Sequence, residues 1–334
     1  MPIPVSPRSS SSVPATRLGG LEVPVLGLGC MSMSHPSRDD AESVAVIRRA
    51  LDAGVSFLDT ADKYGKGHNE ILVGRALAGR RDEVVLATKV GFVGSSRDPH
   101  PIDGSPQHIR RSIENSLARL GTDRIDLYYL HRVDPQVPIE ESVGAMADLV
   151  AAGKVRHLGV SEVAVATLER ANRVHPITAV QSEYSLMTRE PELDLIPACQ
   201  RLGVGVVGYS PLGIGFLTGA YATPTEAPPG SRLPKQPRMQ SEALEDNLAL
   251  MERLKTLAAN VGATPAQLAL AWILSRGRVV PIPGCSRIQH LEENLGALDL
   301  SIPEQMMRAL DAAFPPGVFV GTRKSAGGMR LVDR

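Results

Sequence analysis

Four residues of types that exchange protons lie at the ends of three consecutive apolar runs in this 334-residue chain. Asp59 falls in the run Ser56–Ala61, Tyr64 follows five residues later, Lys89 lies in Val84–Val90, and His131 comes directly after Ile125–Leu130. If those runs are neighbouring parallel strands, a carboxylate, a phenol, an amine and an imidazole meet at one rim. Such a set suits protonation of a carbonyl oxygen. A free phenol has a pKa near ~10, too high for fast proton donation at neutral pH. An ammonium ~4 Å away, at an effective dielectric of ~20, is worth up to about 4 kcal/mol and lowers that pKa by as much as ~3 units. Asp59 would keep Lys89 charged and aimed, because an unpaired buried ammonium tends to lose its proton. His131 would hydrogen-bond the substrate oxygen and fix its orientation. A buried Asp–Lys pair alone is often only a core ion pair; four such groups on one rim are harder to explain as packing. The same groups also fit a lyase that uses Lys89 as a Schiff-base amine, which borohydride trapping would reveal.

The elements that must position these groups follow a regular alternation. Strand-like runs occur at Val25–Gly29, Ser56–Ala61, Val84–Val90, Ile125–Leu130, Val155–Val160, Thr178–Gln181, Val204–Tyr209 and Val279–Ile282. Helical pattern fills the intervals. Ser105 and Pro106 read as an N-cap followed by proline at the first helical position, with Ile109, Ile113, Leu117 and Leu120 on one face and Gly121 as the stop. Thr264-Pro265-Ala266-Gln267 is a capping box opening a helix through Arg276. Apolar runs separated by amphipathic helices indicate parallel strands joined by right-handed crossovers. Eight such units predict an α/β fold, a closed (β/α)8 TIM barrel, with function at the C-terminal ends of its strands. Arg17–Val23 reads as a short N-terminal hairpin, and Leu212–Gln240 as a long loop after strand seven that could act as a lid. The expected organisation is a flexible tail over residues 1–16, one barrel domain over 17–314 and a C-terminal tail over 315–334.

Composition removes other classes. Lys and Arg total 36 and Asp and Glu total 36, so the net charge is zero and no general attraction to nucleic acid is expected. No run of about 20 apolar residues is available to span a membrane. The N-terminus lacks the apolar core of a signal peptide. Three scattered cysteines make neither a disulfide framework nor a zinc cluster, so a reducing, cytoplasmic setting and no metal are expected. Two motifs are decoys. Gly203-Val-Gly205-Val-Val-Gly208 matches the dinucleotide fingerprint in letters, but a helical pattern precedes it and a strand contains its last glycines. Gly208-Tyr-Ser210-Pro lacks the second glycine of a nucleophile elbow.

With these residues in view, the chain resembles the aldo-keto reductase family. The resemblance rests on Phe57-Leu-Asp59-Thr-Ala-Asp-Lys-Tyr64-Gly, the isolated Lys89, and Leu130-His131. It continues in Gly153-Lys-Val-Arg-His-Leu-Gly159-Val-Ser161, Gln181-Ser-Glu-Tyr184, Tyr209-Ser-Pro-Leu-Gly213 and Pro281-Ile-Pro-Gly284. It spans about 17–314 and is most similar to the bacterial and plant branch, which is related to potassium-channel β subunits. The resemblance implies a catalytic tetrad of Asp59, Tyr64, Lys89 and His131, with Tyr64 as general acid and hydride from the nicotinamide C4. It implies that Ser161, Glu162 and Gln181 hold the carboxamide and that Tyr209 stacks on the nicotinamide. Ser210, Pro211, Leu212 and Gly213 would line the pyrophosphate, with Met31 near the ribose. Gly284, Ser286, Arg287, His290, Glu293 and Asn294 would grip the adenosine 2′-phosphate, making NADPH the expected cofactor.

The sequence departs from that pattern where many relatives carry Asn or Arg, at Glu162 and Ile214, and at Cys285 and Ser286, where Lys or Thr is common. An added carboxylate and a missing cation weaken the expected grip on the cofactor, and Arg232, Lys235 and Arg238 are the loop cations that could compensate. Met33, Phe92, Arg132, Phe216 and Phe319 are the residues placed to shape a substrate pocket. The leading expectation is an oxidoreductase converting a small-molecule aldehyde or ketone to an alcohol. The alternative is a cofactor-binding regulatory or sensory subunit of a partner protein.

Overall fold

The computed structural model describes residues 13–333 apart from 36, 96, 222, 224, 225 and 228–230. Most of the expected N-terminal tail, residues 1–12, therefore lies outside the described residues. The chain opens with an antiparallel hairpin, β1 (Ala15–Leu18) and β2 (Leu21–Pro24). Eight parallel strands come next: β3 (Leu28–Gly29), β4 (Phe57–Asp59), β5 (Val85–Val90), β6 (Ile125–Leu130), β7 (Val155–Ser161), β8 (Ile177–Glu183), β9 (Gly205–Tyr209) and β10 (Val279–Ile282). They pair in chain order. Backbone hydrogen bonds from Gly27 N to Pro281 O (3.0 Å) and Gly29 N to Pro283 O (3.2 Å) join the first strand to the last, bringing the barrel close to full closure.

Helices alternate with the strands outside the barrel: α1 (Asp40–Asp52), α2 (His68–Leu77), α3 (Pro106–Leu120), α4 (Ile139–Ala151), α5 (Val165–Val174) and α6 (Leu195–Leu202). After β9 come α7 (Ser241–Ala259) and α8 (Pro265–Ser275), and after β10 come α9 (Ile288–Leu295), α10 (Glu304–Ala313) and the short α11 (Ala326–Met329). The local signals act as expected. Ser105 Oγ accepts from the His108 amide, and Gly121 ends α3 at φ +62°. Thr264 and Gln267 form the reciprocal capping box that opens α8. Gly203 is the left-handed cap of α6, and Gly205 and Gly208 belong to β9, so no dinucleotide turn exists at the fingerprint.

Two apolar layers result from the alternation along the strands. Outward side chains pack under the helices. Inward ones fill the barrel with Phe57, Ala87, Leu127, Tyr129, Ala179, Val207 and Ile282. Leu18 and Val23 of the hairpin join this inner cluster and plug its N-terminal end. The opposite end is left to polar chemistry. The long loop after β9 carries short 3-10 turns at Gly213–Thr218, Leu233–Lys235 and Pro237–Met239. No helix among the described residues is long and apolar enough to cross a membrane.

Candidate active site

The register places the proton-trading groups on one rim. Asp59 ends β4 and pairs with Ala87 of β5, Lys89 pairs with Tyr129 of β6, and His131 extends β6 through its amide on Val90 O. Asp59, Lys89 and His131 are buried. Tyr64 stands on the turn between β4 and α2, where Gly65, Lys66 and Gly67 all have positive φ. That tight turn swings the phenol back over the barrel mouth.

Lys89 Nζ is surrounded by acceptors. It donates to Asp59 Oδ1 at 2.5 Å and to the Thr60 carbonyl at 2.7 Å, and lies 3.4 Å from the Tyr64 phenol oxygen. Burial opposes its charge, but Asp59 and the Tyr64 oxygen outweigh that and hold the ammonium protonated beyond its ordinary range. Gln181 Nε2 donates to the other Asp59 oxygen at 2.7 Å, so both lobes of the carboxylate are engaged. The His131 ring meets Tyr64 edge-on at 5.9 Å and Phe92 at 4.7 Å. Burial and the charges of Arg132, Lys89 and Lys63 push its pKa far below the usual histidine range, so the imidazole is neutral. Its Nδ1 is buried without a hydrogen-bond partner among the described residues.

The structure corrects one electrostatic expectation, that Lys89 brings the Tyr64 phenol below its ordinary pKa. Burial instead pushes that pKa up, and Lys89 pulls only partly against it. A phenol desolvated on the rim loses more by ionising than one ammonium at 3.4 Å returns, and the Asp59 charge beside it offsets part of that ammonium's field. Tyr64 therefore stays protonated through the neutral range.

The residues expected at a cofactor gather on the adjoining strands. Ser161 and Gln181 are register partners on β7 and β8, and Glu183 and Tyr209 are partners on β8 and β9. Ser161 Oγ accepts from Arg132 Nη1 at 3.0 Å. Glu162 is held at φ +56° and its Oε1 accepts from the Tyr209 hydroxyl at 2.5 Å. Beyond β9 the backbone turns left-handed at Ser210, Gly213, Ile214 and Gly215. Non-glycine residues in that region carry strain that concentrates at ligand-binding turns, and here the Gly213 and Gly215 amides close the turn on the Ser210 and Leu212 carbonyls. Gly284 brings the chain after β10 against Gly29 and Ser32: a Cβ there would lie 3.4 Å from Gly29 O and from Ser32 Oγ. Ser32 Oγ is buried without a partner among the described residues. Arg287 precedes α9, where Ser286 and Asn294 are buried and His290 is exposed. Met31 sits half out of the rim at 36% exposure. An unpartnered hydroxyl, a left-handed turn and a helix start beside a guanidinium fit a long anionic dinucleotide.

The substrate-pocket expectation divides. Phe92 does flank His131, with Lys63 Nζ 3.3 Å over its ring and Arg132 5.8 Å away. Met33, Phe216 and Phe319 instead pack into the core. Among the loop cations, Arg238 is not available to a pyrophosphate. It is buried and donates to Thr188 Oγ1 (2.8 Å) and Gly321 O (3.2 Å).

Sequence reasoning missed two parts of the site. Beneath the tetrad, Thr88 Oγ1 and Arg119 Nε donate to the buried Glu70 at 2.6 Å each, and Asn69 bridges Thr60, Cys30 and Ser34. Above it, Arg323 and Lys324 from the chain end contact Glu162, Glu183 and Tyr209. No local pattern marks that contact.

Asp62 supplies a stability test. Burial, reinforced by Glu70, raises its carboxyl pKa from 3.8 to about 7. The native state therefore holds this proton more tightly than the unfolded chain, so stability falls as pH rises from about 4 to about 7 and then levels. Asp62→Asn is expected to raise the thermal midpoint by several degrees near pH 8 and to leave it almost unchanged near pH 4. Equal midpoints near pH 8 would place the carboxylate in a well-solvated environment.

Comparison with known proteins agrees with this geometry. Residues 25–314 match the model of the Aldo/keto reductase family. Probable aldo-keto reductase 1 of Glycine max is 44% identical over 322 residues, covering 94% of this chain and 93% of that protein. The solved glycerol dehydrogenase of Gluconobacter oxydans is 30% identical with a TM-score of 0.81, over 91% of this chain and 96% of that one. An aldo-keto reductase of Klebsiella pneumoniae, solved in complex with NADPH, is 32% identical with a TM-score of 0.74, over 93% and 98%. This chain belongs to the aldo/keto reductase family and is an oxidoreductase that works with a nicotinamide cofactor.

Proposed function

We propose that this protein reduces aldehydes or ketones to alcohols with NADPH, and that Tyr64 delivers the proton. The observation that carries this reading is the contact of a protonated phenol with an ammonium already held by a carboxylate, Tyr64–Lys89–Asp59. Bound NADPH supplies a hydride to the carbonyl carbon. The protein's task is then the oxygen, where negative charge develops. Tyr64 donates its proton there, and the phenolate left behind is stabilised by Lys89 at 3.4 Å. Neutral His131 orients the carbonyl by a hydrogen bond without competing as an acid. Phe92 and His131 form one wall and limit water at the reacting carbon.

Ser161, Glu162 and Gln181 would position the carboxamide end, and Tyr209 would offer its ring face. Ser210, Pro211, Leu212 and Gly213 would present backbone to the pyrophosphate, with Met31 at the ribose. Gly284, Ser286, Arg287, His290, Glu293 and Asn294 would hold the 2′-phosphate at the start of α9, the basis for NADPH over NADH. The lyase reading is disfavoured by the state of Lys89: a Schiff base needs a neutral amine, and Asp59 keeps this one protonated.

The test is calorimetric titration with NADPH and NADH, followed by turnover on simple aldehydes, read as loss of the reduced cofactor's near-ultraviolet absorbance. Tighter NADPH binding with turnover supports the proposal. Binding without turnover on any carbonyl would move the weight to a regulatory or sensory subunit.

A further inference from the structure

The family match ends at residue 314, and the chain beyond that point folds back onto the barrel rim. Phe319 is buried and stacks on Phe314 at 6.1 Å. Asn247 pins Val320 through both backbone groups, and Arg238 donates to Gly321 O. These contacts carry the chain back over the ends of β7, β8 and β9. There Arg323 grips Glu162 with both terminal nitrogens, at 2.8 and 2.5 Å. Lys324 donates to Glu183 Oε2 and to the Tyr209 hydroxyl, each at 2.7 Å, with its nitrogen 5.0 Å from the Tyr209 ring centre. The Asp333 amide closes the segment on the Glu162 carbonyl at 3.1 Å. Glu162 is nearly fully buried and Glu183 almost so, with side-chain exposures of 1% and 10%. The tail thus meets two buried carboxylates around Tyr209 with two cations.

We propose that Arg323 and Lys324 are positioning residues that neutralise Glu162 and Glu183 around Tyr209 and thereby bias the site toward the reduced cofactor. This inference rests on the reading that the nicotinamide stacks on Tyr209. The reduced ring is uncharged and the oxidised ring carries one positive charge, so the two respond differently to charge near the platform. With the tail in place, the carboxylates are more than matched, because Arg132 acts on Glu162 and Arg238 on Glu183 beside the two tail cations, and the cationic ring gains nothing from them. With Lys324 removed, Glu183 keeps only the longer 3.5 Å contact to Arg323, and the loss of one positive charge in a partly desolvated site favours the oxidised ring specifically. A tail that served only as packing would change both affinities together.

The experiment is calorimetric titration of the full chain with NADPH and with NADP+. Lys324→Met is expected to shift the ratio of the two dissociation constants toward NADP+ by about tenfold, as one unit charge near the ring implies. Lys324→Arg should keep the wild-type ratio. Glu183→Gln, which leaves the tail cations in place, should shift the ratio the opposite way, and the double variant Glu183→Gln/Lys324→Met should return it. Equal changes in both affinities, or none, in Lys324→Met and Glu183→Gln would overturn the proposal. If the wild-type protein binds neither dinucleotide, the cofactor reading itself fails and the inference falls with it.

Discussion

Tyr64→Phe is expected to lower kcat for carbonyl reduction by ~10²–10⁴-fold, the range a positioned general acid contributes. NADPH affinity should change little. The phenyl ring keeps the edge-on packing against His131 and lacks only the hydroxyl beside Lys89. Loss confined to the chemical step identifies a group that acts in the transition state. Single-turnover kinetics with preloaded NADPH separates this step from product release. Near-normal turnover in the variant would remove Tyr64 from the acid role.

The pH dependence supplies an independent check on the same assignment. Burial raises the Tyr64 pKa, and burial with neighbouring cations keeps His131 neutral, so neither group titrates in the neutral range. With Asp62, whose carboxyl titrates at about 7, replaced by Asn, reduction should therefore show kcat/KM without an inflection near the ordinary histidine value of ~6.5. Its decline should come on the alkaline side, where Lys63 loses its charge at about 8 and Tyr64 its proton above the ordinary phenol value. An inflection at that histidine value would transfer the proton to His131.

The barrel was readable because each of its parts depends on local pattern. β6 and β10 occupy the expected residues without change, and Ser105, Gly121 and Thr264 cap helices where their side chains or φ allow. The convergence of Asp59, Tyr64, Lys89 and His131 arises from the same cadence, since parallel strands paired in chain order bring their C-terminal ends together. The sign of the Tyr64 shift was not readable, because it depends on how deeply the phenol sits, and depth is a property of the packed rim. The tail was hidden for a related reason. Arg323 finds Glu162 at a separation of 161 positions, and neither residue carries a periodicity that points to the other. Such a pair is created by Phe319 docking in the core and by Arg238 turning away from the barrel mouth to hold Gly321.

Lys89→Met is expected to abolish measurable turnover and also to cost about 3–5 kcal/mol of folding stability, because Asp59 would remain buried and charged without its counter-ion. The stability loss exceeds what deletion of an exposed ion pair produces, where about 0–1 kcal/mol is usual. Denaturant unfolding of the variant reads it directly. Adding Asp59→Asn in the Lys89→Met background should recover much of that stability, since the amide can still accept from Gln181 and needs no counter-ion. Turnover should not return, because the ammonium that stabilises the Tyr64 phenolate is still missing. Activity and stability would then separate along the two halves of one contact: Asp59 makes the charge on Lys89 tolerable in the core, and Lys89 applies that charge at the phenol. If the double variant were no more stable than Lys89→Met alone, the Asp59 carboxylate would not depend on Lys89 for its place in the core.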